Sequence, residues 1–157
     1  MSTTKYNYVC SGYLIENEKI LLVLHNVFKK WVPPGGHIED DETFAQTAER
    51  EFVEETGIEV RALSSGPVIH LPDNNATPLQ LPFYTDLLVE GFKKPTISQY
   101  YYVQRTGDHE LVFDTNELDD ARWFSLEELD EIETFDQVRS LSKYALLNYP
   151  NKQPLAS

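Results

Sequence analysis

Apolar residues in this chain are grouped into short runs separated by polar turns, a pattern typical of a sheet accompanied by few helices. The most continuous run, residues 19–25 (Lys-Ile-Leu-Leu-Val-Leu-His), is apolar on both faces, as expected of a central strand. The other predicted strands lie over 8–15 and 98–105, with candidates within 60–71 and 79–90 and a short strand or turn over 122–125.

Three helices are predicted, over 41–57, 126–132 and 135–149. For the first, Asp40 or Asp41 can serve as the N-cap, and Gly57 has the character of a C-terminal stop. Strands and helices alternate with both short and long connections. The pattern therefore predicts an α/β protein with a mixed sheet between helices.

The length of 157 residues suits one domain with a real core. We expect a single domain over 1–150 and a frayed tail over 151–157. No apolar run approaches the roughly 20 residues of a membrane span, and the first residues lack a signal-peptide pattern. We therefore expect no membrane association and a cytoplasmic location.

The formal net charge is −13, which opposes binding to long nucleic acids because these need a basic surface. A small anionic substrate remains compatible with this charge if a metal bridges it, and clustered carboxylates attract divalent cations. Cys10 is the only cysteine, so an internal disulfide or a Cys-rich zinc site is excluded.

Three carboxylates share one face of the predicted helix over 41–57. A helix advances about 100° per residue, which places Glu54 and Glu55 roughly 60° and 40° to either side of Glu51. Unpaired, they would repel one another, and a hard divalent cation is their natural partner. Arg50 lies four residues before Glu54 and can pair with it. A solvated acidic face is the simpler alternative.

The segment Pro-Pro-Gly-Gly over 33–36 cannot be helical and is predicted to be a rigid loop. Gly35 and Gly36 permit a positive φ and a close backbone approach, so a carbonyl there could bind a metal and the amides could face a phosphate. Together with the carboxylate helix, this loop favours metal-assisted hydrolysis of a polyphosphate by water, which needs no nucleophilic side chain.

The pattern G-x5-E-x7-R-E-U-x-E-E-x-G-U, with U apolar, resembles the complete Nudix box of the Nudix hydrolase family. Its residues here are Gly36, Glu42, Arg50, Glu51, Phe52, Glu54, Glu55, Gly57 and Ile58. The wider family pattern is matched by Trp-Val-Pro-Pro-Gly-Gly from Trp31 and by Ala-Arg-Trp-Phe-Ser-Leu-Glu-Glu-Leu from Ala121.

The resemblance implies a Nudix-type α/β/α sandwich that cleaves a nucleoside diphosphate linked to another moiety, with Mg²⁺ or Mn²⁺ as cofactor. It implies that the metal ligands are the Gly36 carbonyl and Glu51, Glu54 and Glu55, one of which acts as the base. Glu42 and Arg50 would be supporting residues.

A late glutamate from a loop often serves relatives as a further ligand or base. Glu117 takes this role here by its position six residues before Trp123, with Glu110 as the second candidate. A surface carboxylate without a role is the alternative for both.

The substrate side is less defined by the sequence. His25 ends the run 19–25 where many relatives carry a basic residue that contacts phosphate. Tyr100 and Tyr102 share one face of their strand and could stack a base, with core packing as the alternative.

Two function classes stay open at this point. The first is a pyrophosphohydrolase acting on a nucleoside triphosphate, or on ADP-ribose or another sugar nucleotide. The second is a non-catalytic nucleotide-binding or regulatory module of the same fold, although such modules usually lose box carboxylates that this chain keeps. Dimers are common in relatives, and a homodimer is the expected assembly.

Overall fold

A computed structural model describes residues 5–72 and 75–150 of the chain. The predicted tail over 151–157 lies outside these residues. The elements are β1 (Asn7–Glu16), β2 (Lys19–His25), β3 (Lys30–Val32), β4 (Gly35–His37), α1 (Phe44–Thr56), β5 (Val60–Ala62), β6 (Tyr84–Leu88), β7 (Thr96–Arg105), β8 (Leu118–Phe124), a 3-10 helix (Glu128–Asp130) and α2 (Asp136–Asn148).

The strands form one mixed sheet of eight, as the sequence predicts. β1 lies parallel to β7 and antiparallel to both β2 and β4. β2 carries β3 and β8, while β7 carries β5 and β6. β1 therefore joins the two halves of the sheet and holds β4 directly before the helix that carries the clustered carboxylates.

The two long helices cover opposite faces of this sheet. Phe52 of α1 packs in one buried cluster with Tyr101, whereas Leu141 of α2 packs in another with Tyr100 and Tyr102. Because successive side chains of a strand point to opposite faces, the tyrosines of β7 separate into these two layers. The result is the predicted α/β/α sandwich.

The N-cap residue of α1 differs from the prediction, although the helix begins close to the predicted start near 41–43. Its N-cap is Thr43, whose hydroxyl accepts from the Gln46 amide, and the Gln46 side chain accepts from the Thr43 amide. This reciprocal capping satisfies two amides that have no partner within the helix, so neither Asp40 nor Asp41 is needed there. At the other end, Gly57 adopts the left-handed φ of 72° expected of a C-terminal stop.

Gly35 and Gly36 lie in a strand rather than in the predicted loop. Neither has a positive φ, and the need for glycine comes instead from close packing. A Cβ at Gly35 would lie 2.5 Å from the Cys10 carbonyl oxygen and 2.9 Å from the Ser11 Cα. Of the two features that glycine permits here, the close approach is present and the positive φ is not adopted.

Each of the two middle segments, 60–71 and 79–90, holds one strand, Val60–Ala62 and Tyr84–Leu88 respectively, as predicted. β8 begins earlier than predicted, at Leu118. No helix among residues 5–72 and 75–150 is long and apolar enough to cross a bilayer.

Candidate active site

β4 and α1 meet where the Glu51 carboxylate lies against the backbone of Gly36. A Cβ built at Gly36 would lie 2.5 and 2.7 Å from the two carboxylate oxygens. Any larger residue would therefore displace this carboxylate. Gly36 and Glu51, which are separated in the sequence, are therefore in direct contact in the structure.

Arg50 is the hub that connects the helix to the preceding segment. Its Nε donates to Glu42 Oε2 at 2.5 Å, and its Nη2 donates to the His37 carbonyl at 3.1 Å. Its Nη1 donates to Glu51 Oε1 at 2.9 Å and to Glu54 Oε2 at 3.2 Å. One guanidinium thus orients two of the three clustered carboxylates and fixes the segment between β4 and α1.

The carboxylate of Glu42 is kept in its ionised form by its contacts, above all the one with Arg50. It accepts from Arg50, from the Thr47 hydroxyl at 2.8 Å and from the Glu39 amide at 3.1 Å. The Arg50 hydrogen bond is the main reason that its pKa is lowered to about 2. The predicted supporting pair of Glu42 and Arg50 is therefore in direct contact.

Glu55 has the opposite environment. Its side chain is buried, and burial is the main reason that its pKa is raised to about 8. Repulsion from Glu51 raises it further, while a 3.4 Å hydrogen bond from the Gly35 amide opposes the rise. Within the described part of the chain, no lysine or arginine pairs with this carboxylate.

Glu51 is both partly buried and paired with Arg50. Burial raises the pKa of Glu51, and the Arg50 hydrogen bond opposes that rise. Glu54 also raises it by repulsion, which agrees with the shared helix face predicted for the two residues. Glu54 itself is exposed, so it can turn toward a ligand at low cost.

Glu117 precedes β8, and its negative charge raises the pKa of both Glu51 and Glu55. Its carbonyl accepts from the Asn26 amide at 3.0 Å, which ties this segment to the turn after β2. Glu117, the predicted late glutamate, therefore lies close enough to Glu51 and Glu55 to interact with them electrostatically.

Asp114 also raises the pKa of Glu55, and its amide donates to the Glu55 carbonyl at 3.0 Å. The sequence analysis does not include this residue. It lies in an irregular segment without periodicity, so no sequence signal places it beside the helix end.

The donor set fits a hard divalent cation by its chemistry. It consists of carboxylates and a backbone carbonyl, and burial, followed by repulsion from neighbouring carboxylates, raises the pKa of both Glu51 and Glu55. Among the described residues, however, no group of three or more acidic, histidine or cysteine side chains is already arranged around one ion position. Glu51 and Glu54 point to Arg50, so an ion would require these side chains to rotate.

His25 lies at the end of β2, where it was expected. Its Nδ1 accepts from the amides of Val27 and Phe28 at 3.2 and 3.4 Å, which leaves Nε2 as the nitrogen available to a ligand. Its strand pairs with the start of β8, directly after Glu117.

Tyr100 and Tyr102 are not available for stacking in this structure. Both are buried in the cluster under α2, and the Tyr102 hydroxyl donates to the Ala145 carbonyl at 3.1 Å. The Tyr100 hydroxyl accepts from Gln137 at 2.7 Å. The proposed substrate contact of these two tyrosines is therefore corrected to core packing, since their rings are covered by the helix.

Comparison with known families gives the class to which this fold and site belong. The model of the NUDIX domain matches residues 7–144, most of the chain. The chain belongs to the Nudix hydrolase family, and the resemblance of its box is confirmed. Members of this family generally use a divalent metal ion.

Solved structures agree with this assignment. A hydrolase of the NUDIX family from Clostridium perfringens is 25% identical, with a TM-score of 0.74 over 88% of this chain and 95% of that protein. A MutT protein from Methanosarcina mazei Go1 is 19% identical, with a TM-score of 0.68 over 98% and 100%. An ADP-ribose pyrophosphatase from Streptococcus suis 89-1591 is 18% identical, with a TM-score of 0.58 over 92% and 95%. No curated protein sequence matched the chain.

Proposed function

We propose that this protein hydrolyses a pyrophosphate bond in a nucleoside diphosphate linked to another moiety, with Mg²⁺ or Mn²⁺ as its cofactor. The observation that carries the proposal is the buried Glu55 carboxyl, with its pKa raised to about 8 beside Glu51 and without a contacting cation in the described chain. A buried group of like charges is costly unless a positive ligand compensates it.

The residues that would hold the ion are Glu51, Glu54 and Glu55, the Gly36 carbonyl and Glu117. When bound, a divalent cation neutralises phosphate charge and lowers the pKa of a water molecule. The pair of Arg50 and Glu42 would hold α1 in place against β4 when the ion binds. A carboxylate of the group that is not wholly engaged accepts the proton of the attacking water.

The substrate is a nucleoside triphosphate, or ADP-ribose or another sugar nucleotide. Both substrate classes are compatible with the fold, which this chain shares with a MutT protein and with an ADP-ribose pyrophosphatase. The decisive experiment is a panel of these nucleotides with Mg²⁺ and with Mn²⁺, in which the products are resolved. A nucleoside triphosphate would give a nucleoside monophosphate and pyrophosphate. A sugar nucleotide would instead give a nucleoside monophosphate and a sugar phosphate, so the products distinguish the two substrate classes.

Glu54→Gln tests the site without disturbing the core, since Glu54 is exposed. We expect turnover to fall on the order of 100-fold or more, because a neutral amide does not replace a charged ligand. Glu90→Gln is the matched control, because Glu90 is exposed in the turn after β6 and lies outside the carboxylate group, and it should keep wild-type turnover. Wild-type rates from Glu54→Gln at saturating Mg²⁺ would contradict the assignment of this residue.

A binding measurement separates loss of metal from loss of chemistry. Calorimetric titration of Mn²⁺ into the wild-type protein should give a saturable site near pH 8, and Glu54→Gln should weaken it. A protein that binds Mn²⁺ but cleaves no member of the panel would instead be a non-catalytic module of the family.

A further inference from the structure

Two exposed aromatic residues, Phe28 and Phe135, lie beyond the end of β2. They are 46% and 41% exposed, although their ring centroids are only 6.0 Å apart. Phe28 belongs to the turn after β2, and Phe135 caps α2 at its start. Two chain segments that are distant in sequence thus meet to present ring surface to water.

The turn that carries Phe28 is fixed rather than loose. His25 accepts from the Phe28 amide at 3.4 Å, and its ring lies 4.4 Å from the Phe28 ring. Lys29 holds a left-handed φ of 56°, and its ammonium pairs with Asp119 at 2.8 Å. A non-glycine residue in this conformation carries strain that the surrounding bonds must offset. The ring is therefore held in place before any ligand arrives.

The same turn is bonded to the segment that carries Glu117. The Asn26 amide donates to the Glu117 carbonyl at 3.0 Å, and the Asn26 side chain donates to the Asn116 carbonyl at 2.8 Å. The Leu118 amide, directly after Glu117, donates to the Asp114 carbonyl at 3.0 Å, and the Asp114 amide donates to the Glu55 carbonyl at 3.0 Å. The turn that carries Phe28 is therefore connected by backbone hydrogen bonds to the end of α1.

A free positive charge accompanies the rings. The Lys30 ammonium lies 5.1 Å from the centroid of Phe135, and within the described residues it forms no ion pair. On a chain with a net charge of −13, a cation without a carboxylate partner is positioned for an anionic ligand. An aromatic surface beside a cation fits a ligand that joins a planar ring to phosphates.

We propose that Phe28 and Phe135 form the platform on which the nucleobase of the substrate stacks, with Lys30 beside it. This inference rests on the proposed function, because it names the part of the substrate that the same site recognises. It assigns to these two phenylalanines the stacking role that the buried Tyr100 and Tyr102 do not fill. Every base has a π face, so the platform selects nucleotides as a class rather than one base.

The test compares Phe28→Leu with Phe92→Leu. Leucine keeps an apolar side chain but lacks a ring, and Phe92 is a matched control because it is 41% exposed in the turn between β6 and β7. With the nucleotide that the panel shows to be cleaved fastest, Phe28→Leu should raise KM about 5-fold to 100-fold, at little cost in kcat. Phe92→Leu should leave both constants unchanged.

Two further measurements keep the two proposals apart. Inorganic tripolyphosphate has no base, so its binding constant should be the same for wild type and Phe28→Leu. The monophosphate AMP, titrated by calorimetry, should bind Phe28→Leu more weakly than wild type even if the protein cleaves nothing. Unchanged AMP binding and unchanged KM in Phe28→Leu and in Phe135→Leu would overturn the platform. A wild type that binds AMP but hydrolyses no nucleotide would overturn the proposed function alone.

Discussion

Glu42 and Glu55 are the same residue type at the two ends of one short helical region, yet their environments are opposite. Glu42 accepts from Arg50, Thr47 and the Glu39 amide, and its pKa is lowered to about 2. Glu55 is buried near other carboxylates, and its pKa is raised to about 8. Arg50 pairs with the carboxylate of Glu42, whereas no lysine or arginine among the described residues pairs with that of Glu55.

This difference separates a carboxylate that is already paired from one that we propose to bind a metal ion. A charge that is already paired contributes to the fold and has little to gain from an ion. A charge that burial makes costly gains most from one, so strongly perturbed carboxyls mark candidate functional sites. Contact with Arg50 is what distinguishes them: Arg50 pairs with Glu42, Glu51 and Glu54 but not with Glu55.

The largest expected effect is on activity, and it should fall on the Glu55 side of the comparison. Glu55→Gln should lower kcat/KM on the order of 100-fold or more, because the amide removes a charged oxygen from the proposed metal group. Steady-state kinetics at saturating Mg²⁺ measures this loss. Circular dichroism should show an intact fold. A variant with full activity would place the chemistry elsewhere.

The second effect is on stability and depends on pH. The folded pKa of Glu55, about 8, lies above the unfolded value near 4.5. Between these values the unfolded chain releases a proton that the folded chain retains, so the stability contributed by this group falls as pH rises from about 4.5 to about 8. Metal-free Glu55→Gln should therefore gain on wild type over this window, by up to a few kcal/mol at pH 8.

Urea unfolding at pH 5, 6.5 and 8 in the presence of a chelator measures this gain. Saturating Mn²⁺ provides the control, because it should stabilise the wild type at pH 8 and stabilise Glu55→Gln less. Parallel stability curves for the two proteins across the three pH values would show that Glu55 titrates normally.

The third effect falls on the paired end. Since the pKa of Glu42 is lowered, its stabilisation is present above about pH 4.5 and is lost as pH falls toward 2. Glu42→Gln should lower the free energy of unfolding at pH 7 by about 1–3 kcal/mol, because Arg50 loses its main charged acceptor. Glu39→Gln is the matched control, since Glu39 is exposed and lies 3.5 Å from the same guanidinium. Equal losses in the two variants would deny Glu42 its special anchoring.

Periodicity and spacing in the sequence predict where the clustered glutamates lie, but they do not predict which glutamate is paired and which is buried. The shared helix face of Glu51, Glu54 and Glu55 follows from helical geometry, and the apolar run of β2 and the stop at Gly57 follow from local chemistry. These features are local, so a single sequence contains them.

Features that depend on distant partners escape such reasoning. β4 pairs with β1, where Gly35 fits closely against Cys10 and Ser11, and that approach involves residues far away in the chain. Tyr100 and Tyr102 look like possible base contacts until α2 covers them. The raised pKa of Glu55 comes mainly from burial, and the lowered pKa of Glu42 comes mainly from its hydrogen bond with Arg50; both depend on the folded structure rather than on a local sequence pattern.

The smallest effect tests whether the two ends of the helical region are independent. Thr43→Ala removes the cap and should lower the free energy of unfolding by about 1 kcal/mol, whereas Asp40→Ala, at a position without a capping role, should change it little. The loss from Thr43→Ala should be equal at pH 5 and pH 8, because the cap does not touch Glu55. Urea unfolding at both pH values measures it. A loss that grew with pH would mean that the start of the helix controls the burial of Glu55, and the contrast between the two glutamates would then be a property of the helix as a whole.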